Sequence, residues 1–600
     1  MAGIGGIVDL RGRRIDGSLV ERMVRAATGP NDGTVVRDGN EKLQIYSVPI
    51  AVEKPSLTWS RDGTVVVVAD ARLDSAQPGQ TAGQALLSDY EQHDTLTRAS
   101  LDGDFAVVLI DSKKNLALAA RDPMSMRPLV FYYADGLLLF ASEPTHVLAT
   151  GLMPRQIHER AVGGHLAGGV LNLSWTFFEG IHQVEPAHIV AIDRDGFHSN
   201  RFWNLEPQAG TPTDQMEAAE NLAWLLQNSV KARLPVENAG IMLSGGLDSA
   251  TLAAAAARTR DQFRLPNSIK AWSFAYTETP EADERAFSGP MASALGIPVV
   301  DVDAEQTPPL ADFPSGPDEN DPLYGHYQPL LARTISRAAG DNVESMMLGN
   351  RGDLVVGSDI HDPWSMFIEG GWSRLMLELS HMGRRSTGSA LWLDVVRPAL
   401  VDRLPMPIRR RAISSRSRPW QSWVDPDFAE ATGMAVLMID ALPRPPKPGP
   451  TGRRFQAILS PFQMRVATWM QRMHTQQGIR FVDPWSDVAI IRFVLGLSPG
   501  IVQTPTSPKK LSRLALETMV PRELVEPLSK TIPLPFIDQH LRGTAAVYVR
   551  ELMSGMHGEE LGFVREREMR AHFEEFERGK ALDGNFWAAL TLEMWLRNFW

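Results

Sequence analysis

Between residues 241 and 258 the chain changes pattern in a way that few folds accommodate. An apolar, strand-like run, Ile241-Met242-Leu243, stops at Ser244-Gly245-Gly246, and an Ala-rich helical run follows from Thr251. A strand that turns directly into a helix leaves several backbone N–H groups unpaired and pointing one way. Together with the helix dipole, these donors make an anion site. Gly245 and Gly246 carry no Cβ, so phosphate oxygens approach the backbone closely, and Ser244 and Ser249 add hydroxyl donors. Asp248 sets a carboxylate in the same loop, which makes chemical sense where it holds Mg²⁺ against a nucleotide. The alternative is an ordinary strand–turn–helix, because Ser, Gly and Asp are common turn residues. No Lys-Ser or Lys-Thr pair follows the glycines, so this is not a Walker A loop.

The flanking pattern predicts a parallel sheet. A helix is expected over 214–233, with Met216, Ala219, Leu222, Leu226 and Val230 on one face and Asp214 or Thr213 as its cap. Strands at 240–243, 269–276, 298–302 and 345–348 alternate with helices at 251–258, 282–295 and 327–339. Such alternation indicates a sheet covered on both faces, with ligand at the carboxyl ends of its strands. Leu243, Phe274 and Leu348 fall at those ends, where they frame an adenine or simply fill the core. The strand at 345–348 runs into Gly349-Asn350-Arg351-Gly352-Asp353. Asp283-Glu284 opens a helix, a placement that the dipole favours by itself.

The first 203 residues read differently. Apolar or β-branched runs at 4–10, 64–70, 105–111, 115–120, 129–133 and 137–141 predict short strands. Ala134-Asp135-Gly136 and Asp193-Arg194-Asp195-Gly196 read as hairpin turns. Helical patterns occur at 17–27, 83–93 and 158–166, which suggests sheets packed as a sandwich with flanking helices.

Six hundred residues exceed one core and imply two or three domains. A formal net charge of −11 argues against nucleic acid as a general partner. The sequence has no cysteine, which removes disulfides, thiolate catalysis and Cys-based metal centres. No apolar run reaches the ~18 residues needed to span a bilayer, and no signal-peptide pattern opens the chain, so a cytoplasmic enzyme is expected.

The loop Ser244-Gly245-Gly246-Leu247-Asp248-Ser249 resembles the pyrophosphate-binding loop of the asparagine synthetase family of ATP-pyrophosphatase ligases. Gly349–Asp353, with Gly357 after it, resembles that family's second signature. Leu101-Asp102-Gly103-Asp104-Phe105-Ala106, Arg121-Asp122-Pro123, Arg127-Pro128-Leu129, Phe140-Ala141-Ser142-Glu143 and Phe177-Phe178-Glu179-Gly180-Ile181 resemble its glutamine-hydrolysing domain. The resemblance implies an α/β protein with a degenerate, Ntn-hydrolase-like αββα glutaminase domain over 1–205. A parallel-sheet synthetase domain of adenine-nucleotide hydrolase type, with a helical lobe, is implied over 212–600. It also implies ATP and Mg²⁺ as cofactors. Leu243, Ser244, Gly245, Gly246, Asp248, Ser249, Phe274, Leu348 and Gly349 would then hold the nucleotide, and Asp248 and Asp353 the metal.

Departures from the family pattern carry equal weight. Members that use glutamine begin Met-Cys-Gly-Ile, whereas here Ala2 stands in place of the nucleophilic Cys, and a methyl group cannot attack an amide. The family's Asn-Gly-Glu phrase is replaced by Ala69-Asp70-Ala71-Arg72-Leu73-Asp74, and the Arg-Leu pair expected near 45–52 is missing. Arg480 takes the place of the Glu that precedes the Pro484-Trp485-Ser486-Asp487 motif. A usual Glu, Ser or Tyr is absent where Asn350 or Arg351 stands.

Beyond about residue 360 the pattern is helical and rich in Trp, with Trp364, Trp372, Trp392, Trp420, Trp423, Trp469 and Trp485 expected mainly in the core. Arg409-Arg410-Arg411 to Arg418 is basic, and 442–454 is Pro-rich and basic. Either stretch is a solvated face or a grip on peptide. Near the end, Lys509-Lys510-Leu511 and Pro521-Arg522-Glu523-Leu524-Val525 with Ser529-Lys530 resemble the family's closing pattern. By that resemblance Lys530 is the catalytic cation beside the adenylate, alongside Asp248 and Asp353.

Cysteine-free relatives of this length include lasso peptide cyclases and β-lactam synthetases, which close a ring within one substrate. The long, Trp-rich lobe with a basic Pro-rich insertion favours a peptide-sized substrate, hence a lasso cyclase. Its partners by resemblance are a precursor peptide, a leader peptidase and a leader-recognition protein, with no nucleic acid and no membrane. The competing readings are a β-lactam or ammonia-dependent asparagine synthetase, and a non-catalytic nucleotide-binding scaffold.

Overall fold

The computed structural model describes residues 3–28, 35–48, 56–169, 172–235, 237–266, 268–357, 420–440, 450–504, 507–528 and 534–600. In the N-terminal part, strand Gly3–Asp9 lies between Leu43–Val48 and Leu137–Ala141 in a six-stranded sheet. A second six-stranded sheet is centred on Val65–Leu73, Gly103–Asp111 and Leu116–Arg121. The pairings in both are antiparallel.

The unbroken valine run at 65–68 has a direct physical reason. Side chains alternate across a strand, so a strand buried on both faces needs apolar residues throughout. Val66 and Val68 meet Ile4, Val8, Ile45 and Phe140 between the sheets. Val65, Val67 and Ala69 face the other way, onto Leu86, Leu87 and Tyr90 of helix Ala82–His93. Helix Gly17–Thr28 covers the outer face of the first sheet through Leu19, Val20, Met23 and Val24. The layers are therefore helix, sheet, sheet, helix, as the resemblance implied.

The hairpins predicted at 134–136 and 193–196 join Val130–Ala134 to Leu137–Ala141 and His188–Ile192 to Phe197–Arg201. Asp135 at φ 49° and Gly136 at φ 79° supply the left-handed turn. The exposed strand Val36–Asn40 was not predicted, because VRDGN carries no apolar alternation.

The synthetase part is built on a five-stranded parallel sheet in the order Val299–Asp303, Ser268–Ala275, Asn238–Met242, Ser345–Met347, Arg480–Val482. Four of these strands were predicted. The fifth, only three residues long and beginning with a charge, comes from the C-terminal lobe. Helix Gln215–Arg233 starts at Asp214, whose carboxylate accepts from the Glu217 N–H at 2.9 Å. Its buried face includes Ala219, Leu222, Leu226 and Val230, but Met216, expected with them, lies exposed. Helix Leu247–Phe263 is buried nearly all round through its alanines. From strand Asn238–Met242 the chain first builds outward on one side, then crosses to Ser345–Met347 on the other. That reversal opens a crevice at the carboxyl ends of these two strands.

The described helical part of the C-terminal lobe buries Trp423, Trp469 and Trp485 as expected. Trp364, Trp372, Trp392, Arg409–Arg411, Arg418 and most of 442–454 lie outside the described residues.

Candidate functional site

The crevice holds a cavity of about 350 Å³ whose wall includes Leu243, Ser244, Gly246, Asp248 and Ser249 from one strand end, and Leu348, Gly349, Asn350 and Asp353 from its neighbour. Met242, Phe274, Tyr276, Ala282, Glu284, Tyr327 and Lys509 complete it. Nearly every residue assigned to the nucleotide from sequence is thus brought to one place. Gly245 is the exception on the wall, yet it shapes the turn. Its N–H donates to Glu284 Oε2 at 3.1 Å.

The turn is fastened by its own hydroxyls. Ser249 Oγ accepts from the Ser244 N–H at 3.1 Å and lies 2.9 Å from Ser244 Oγ, which accepts from the Gly246 N–H at 3.2 Å. These contacts hold the strand end against the first turn of the helix, with Gly246 as its cap and Asp248 inside it.

The loop after Ser345–Met347 comes so close that at Gly352 only glycine fits. A Cβ on Gly352 would lie 2.4 Å from Asp248 Cγ, and one on Gly349 would lie 3.2 Å from the Asp248 backbone. The two glycines therefore let Asp353 approach Asp248. Between the two carboxylates stands Lys509. Its Nζ is 2.6 Å from Asp248 Oδ2 and also pairs with Asp353 Oδ1. Burial opposes its charge, but Asp248 and Asp353 outweigh that and hold the ammonium above its ordinary pKa.

Lys509 is a site cation that the sequence did not single out, and Lys530, expected as the catalytic cation, lies outside the described residues. The phrase Lys509-Lys510-Leu511 was visible in the sequence, but its spacing did not say which lysine turns inward. Lys509 itself adopts φ 54° and ψ 34°, just ahead of helix Lys510–Glu517.

Two tyrosines were also missed. Burial raises the pKa of Tyr276 and of Tyr327, so both stay protonated donors on the cavity wall. Asn350 reaches the cavity, whereas Arg351 is fully buried and turns away, donating to the Met124 carbonyl at 2.9 Å. The site's ionisable groups are thus Asp248, Asp353, Glu284, Lys509 and the two phenols. Ala2 lies outside the described residues.

The pair Asp248 and Asp353 fits a hard cation, since one nitrogen already reaches an oxygen of each. Among the described residues there is no cluster of three or more His, Cys, Asp or Glu to hold a metal. Any ion here would complete its shell from phosphate and water. No helix among the described residues is long and apolar enough to cross a membrane.

Arg480 does not enter this cavity. It turns to the N-terminal part, where Nη2 donates to Asp70 Oδ1 at 3.0 Å, and Arg127 Nε lies 3.7 Å from the same oxygen. Burial works against the Asp70 carboxylate, but Arg480 and Arg127 prevail and lower its pKa. Arg233 and Arg72 flank Asp104 in the same way, and Arg472 pairs with Glu143 at 2.8 Å.

Residues 221–597 match the asparagine synthase family, and residues 74–203 match a glutamine amidotransferase domain. Glutamine-hydrolyzing asparagine synthetase 3 of Bacillus subtilis is 26% identical over 280 residues, 43% of this chain and 45% of that protein. Amidase chyE of Penicillium rubens is 28% identical over 303 residues, 46% of this chain and 44% of that protein. The chain thus spans under half the length of these curated relatives. Among solved structures, glutamine phosphoribosylpyrophosphate amidotransferase from B. subtilis is similar at TM-score 0.25 and 12% identity, over 58% of this chain and 90% of that one. Because the family match takes in most of the parallel sheet, the cradle around Asp248 and the C-terminal lobe, the chain belongs to the asparagine synthase family, whose members are ATP-dependent amide-forming ligases.

Proposed function

We propose that this chain is a lasso peptide cyclase, with a degenerate glutaminase domain over 1–205 and a synthetase domain over 212–600. It adenylates an Asp or Glu side-chain carboxylate of a leader-cleaved precursor peptide. A carboxylate oxygen attacks the α-phosphorus of ATP, and the bond to the bridging oxygen of pyrophosphate breaks. The peptide's own N-terminal amine then attacks the acyl carbon, loses a proton and expels AMP, closing a macrolactam. Holding both ends in one site turns a bimolecular step into a positioned one.

The first turn of helix Leu247–Phe263 offers its backbone N–H groups to the phosphate oxygens, and the Gly245 N–H joins them when Glu284 releases it. Asp248 and Asp353 would hold Mg²⁺, which offsets charge on the polyphosphate when bound. Lys509 lies beside both carboxylates and neutralises charge on the departing pyrophosphate. Lys530 does the same for the adenylate. Leu243, Phe274 and Leu348 receive the adenine.

The observation that carries the finer reading is the buried Asp70–Arg480 pair. Asp70 belongs to the phrase that replaces the glutamine-holding Asn-Gly-Glu, and Arg480 replaces the Glu before the Pro-Trp-Ser-Asp motif. The two positions are committed to each other, which speaks against glutamine as nitrogen donor and against free aspartate as acyl substrate. The absence of any cysteine from the sequence points the same way. An amine that arrives on the acyl substrate answers both. The reaction would take place in the cytoplasm, after a leader peptidase and a leader-recognition protein have delivered the peptide.

Pyrophosphate release with a substrate panel tests this. A leader-cleaved precursor peptide should release pyrophosphate and lose one water by mass spectrometry. Release that needs aspartate and ammonia would make the enzyme an asparagine synthetase. Release with a small β-amino acid would make it a β-lactam former. No release with any of them would leave a nucleotide-binding scaffold.

A further inference from the structure

Two contacts in the cradle pair groups of opposite sign at the places where a metal ion and a phosphate oxygen would sit. The Lys509 ammonium is held by Asp248 Oδ2 at 2.6 Å and by Asp353 Oδ1, so a single positive nitrogen lies between two carboxylates. The Gly245 N–H, in the turn that faces phosphate, donates instead to the Glu284 carboxylate at 3.1 Å. Cation stands on the cation site, and anion on the anion site.

The backbone supports the first assignment. Lys509 occupies the left-handed region at φ 54°, a conformation that costs a residue with a Cβ and that collects at functional positions. Its side chain is 8% exposed, against 31% for Asp353, so the ammonium reaches the pair from the protein side. Asp353 is the member of the pair more open to an incoming ion. A lysine suits this role because its charge is compact and its stem flexible, so one ammonium reaches either a carboxylate or a phosphate. Glu284 lies just ahead of helix Arg285–Ala294, where its side chain spans the gap to the Gly245 turn.

We infer that Lys509 and Glu284 are internal stand-ins for the metal ion and for a phosphate oxygen, and that the metal–nucleotide complex enters by displacing both together. This rests on the reading of the cavity as an ATP site. Metal alone would have to evict a buried ammonium and leave it unpaired. Nucleotide alone would meet Glu284 and the two aspartates. The complex avoids both costs, because the phosphates receive Lys509 while the metal receives the carboxylates.

Calorimetric titration of the full chain with MnCl₂ alone, with pyrophosphate alone and with Mn·ATP tests the exchange. Wild type should bind Mn·ATP at least about tenfold more tightly than Mn²⁺ alone. Lys509→Met should bind Mn²⁺ alone about tenfold more tightly than wild type does, and Glu284→Gln should gain affinity for pyrophosphate alone. Wild type that binds Mn²⁺ alone as tightly as Mn·ATP overturns the inference without any variant, so it survives a misfolded Lys509→Met. A folded Lys509→Met with no gain for Mn²⁺ overturns it while the ATP site stands. Failure of wild type to bind Mn·ATP at all removes the ATP site, and the inference with it.

Discussion

Two sets of buried ion pairs, built from the same chemistry, behave as opposites in this molecule. Along the seam between the two parts, the cations are arginines: Arg480 and Arg127 on Asp70, Arg233 and Arg72 on Asp104, Arg472 on Glu143. In the cradle around Asp248 the cation is a lysine on two aspartates. A guanidinium is planar, offers several donors in a fixed fork and keeps its proton, so it suits a joint that stays closed. An ammonium is a single point on a flexible stem, and it suits a contact that must be exchanged. The seam thus fixes where the two parts sit, while the cradle holds charge in readiness. A buried pair adds little net stability, but breaking it leaves an uncompensated charge. That asymmetry makes the comparison testable.

The largest effect is expected in the cradle and on activity alone. Asp248→Ala should reduce pyrophosphate release by about 10³-fold or more, with the urea midpoint close to that of wild type, because Lys509 keeps Asp353. Unchanged release would remove Asp248 from the chemistry. At the seam the effect moves to stability. Asp70→Ala leaves Arg480 and Arg127 facing each other and should cost about 3–5 kcal/mol in urea unfolding. Adding Arg480→Met to Asp70→Leu should recover most of that loss, and a double variant as unstable as the sum of the singles would deny the pairing.

Acid should act through the buried histidines. His146 and His165 are buried, which lowers their pKa to about 3, and burial lowers that of His474 to about 4. The unfolded chain, with histidines near the usual ~6.5, binds more protons than the folded one below that pH. Their contribution is therefore complete above about pH 6.5 and is lost as pH falls toward 4, at about 1.4 kcal/mol per histidine per pH unit. Urea unfolding across pH 7 to 5 reads the slope, and His165→Gln should reduce it by one histidine's share. His165 accepts from Arg465 Nη1 at 3.0 Å, so its protonation sets two cations together at the seam. The smallest effects come from exchanging the cations. Arg480→Lys should cost about 1 kcal/mol of stability and leave the nucleotide affinity unchanged. Lys509→Arg should do the reverse, slowing pyrophosphate release about tenfold in single-turnover assays at little change in stability.

Much of the architecture was legible because it is written over short distances. The valine run at 65–68 announces a strand buried on both faces, and Asp214 announces a helix start, because each rests on periodicity or capping within a few residues. The Ser-Gly-Gly-Leu-Asp-Ser turn carries its own geometry, and its hydroxyl bonds close within five residues. Strand Arg480–Val482 was illegible, since three residues with a leading charge have no period, and it exists only by lying beside Ser345–Met347. Met216 misled because a helical face tells which residues align and not where the buried face ends.

The sequence by itself determined the Ser-Gly-Gly turn between strand and helix, the layered class of each part and the absence of cysteine. These follow from dihedral preferences, side-chain period and composition, which are local or global but never depend on which distant groups meet. Only the tertiary structure decided that Lys509 stands between Asp248 and Asp353, and that Asp70 and Arg480, 410 residues apart, answer each other. A buried charge must find its opposite within a few ångströms, and what stands there is decided when the packing closes.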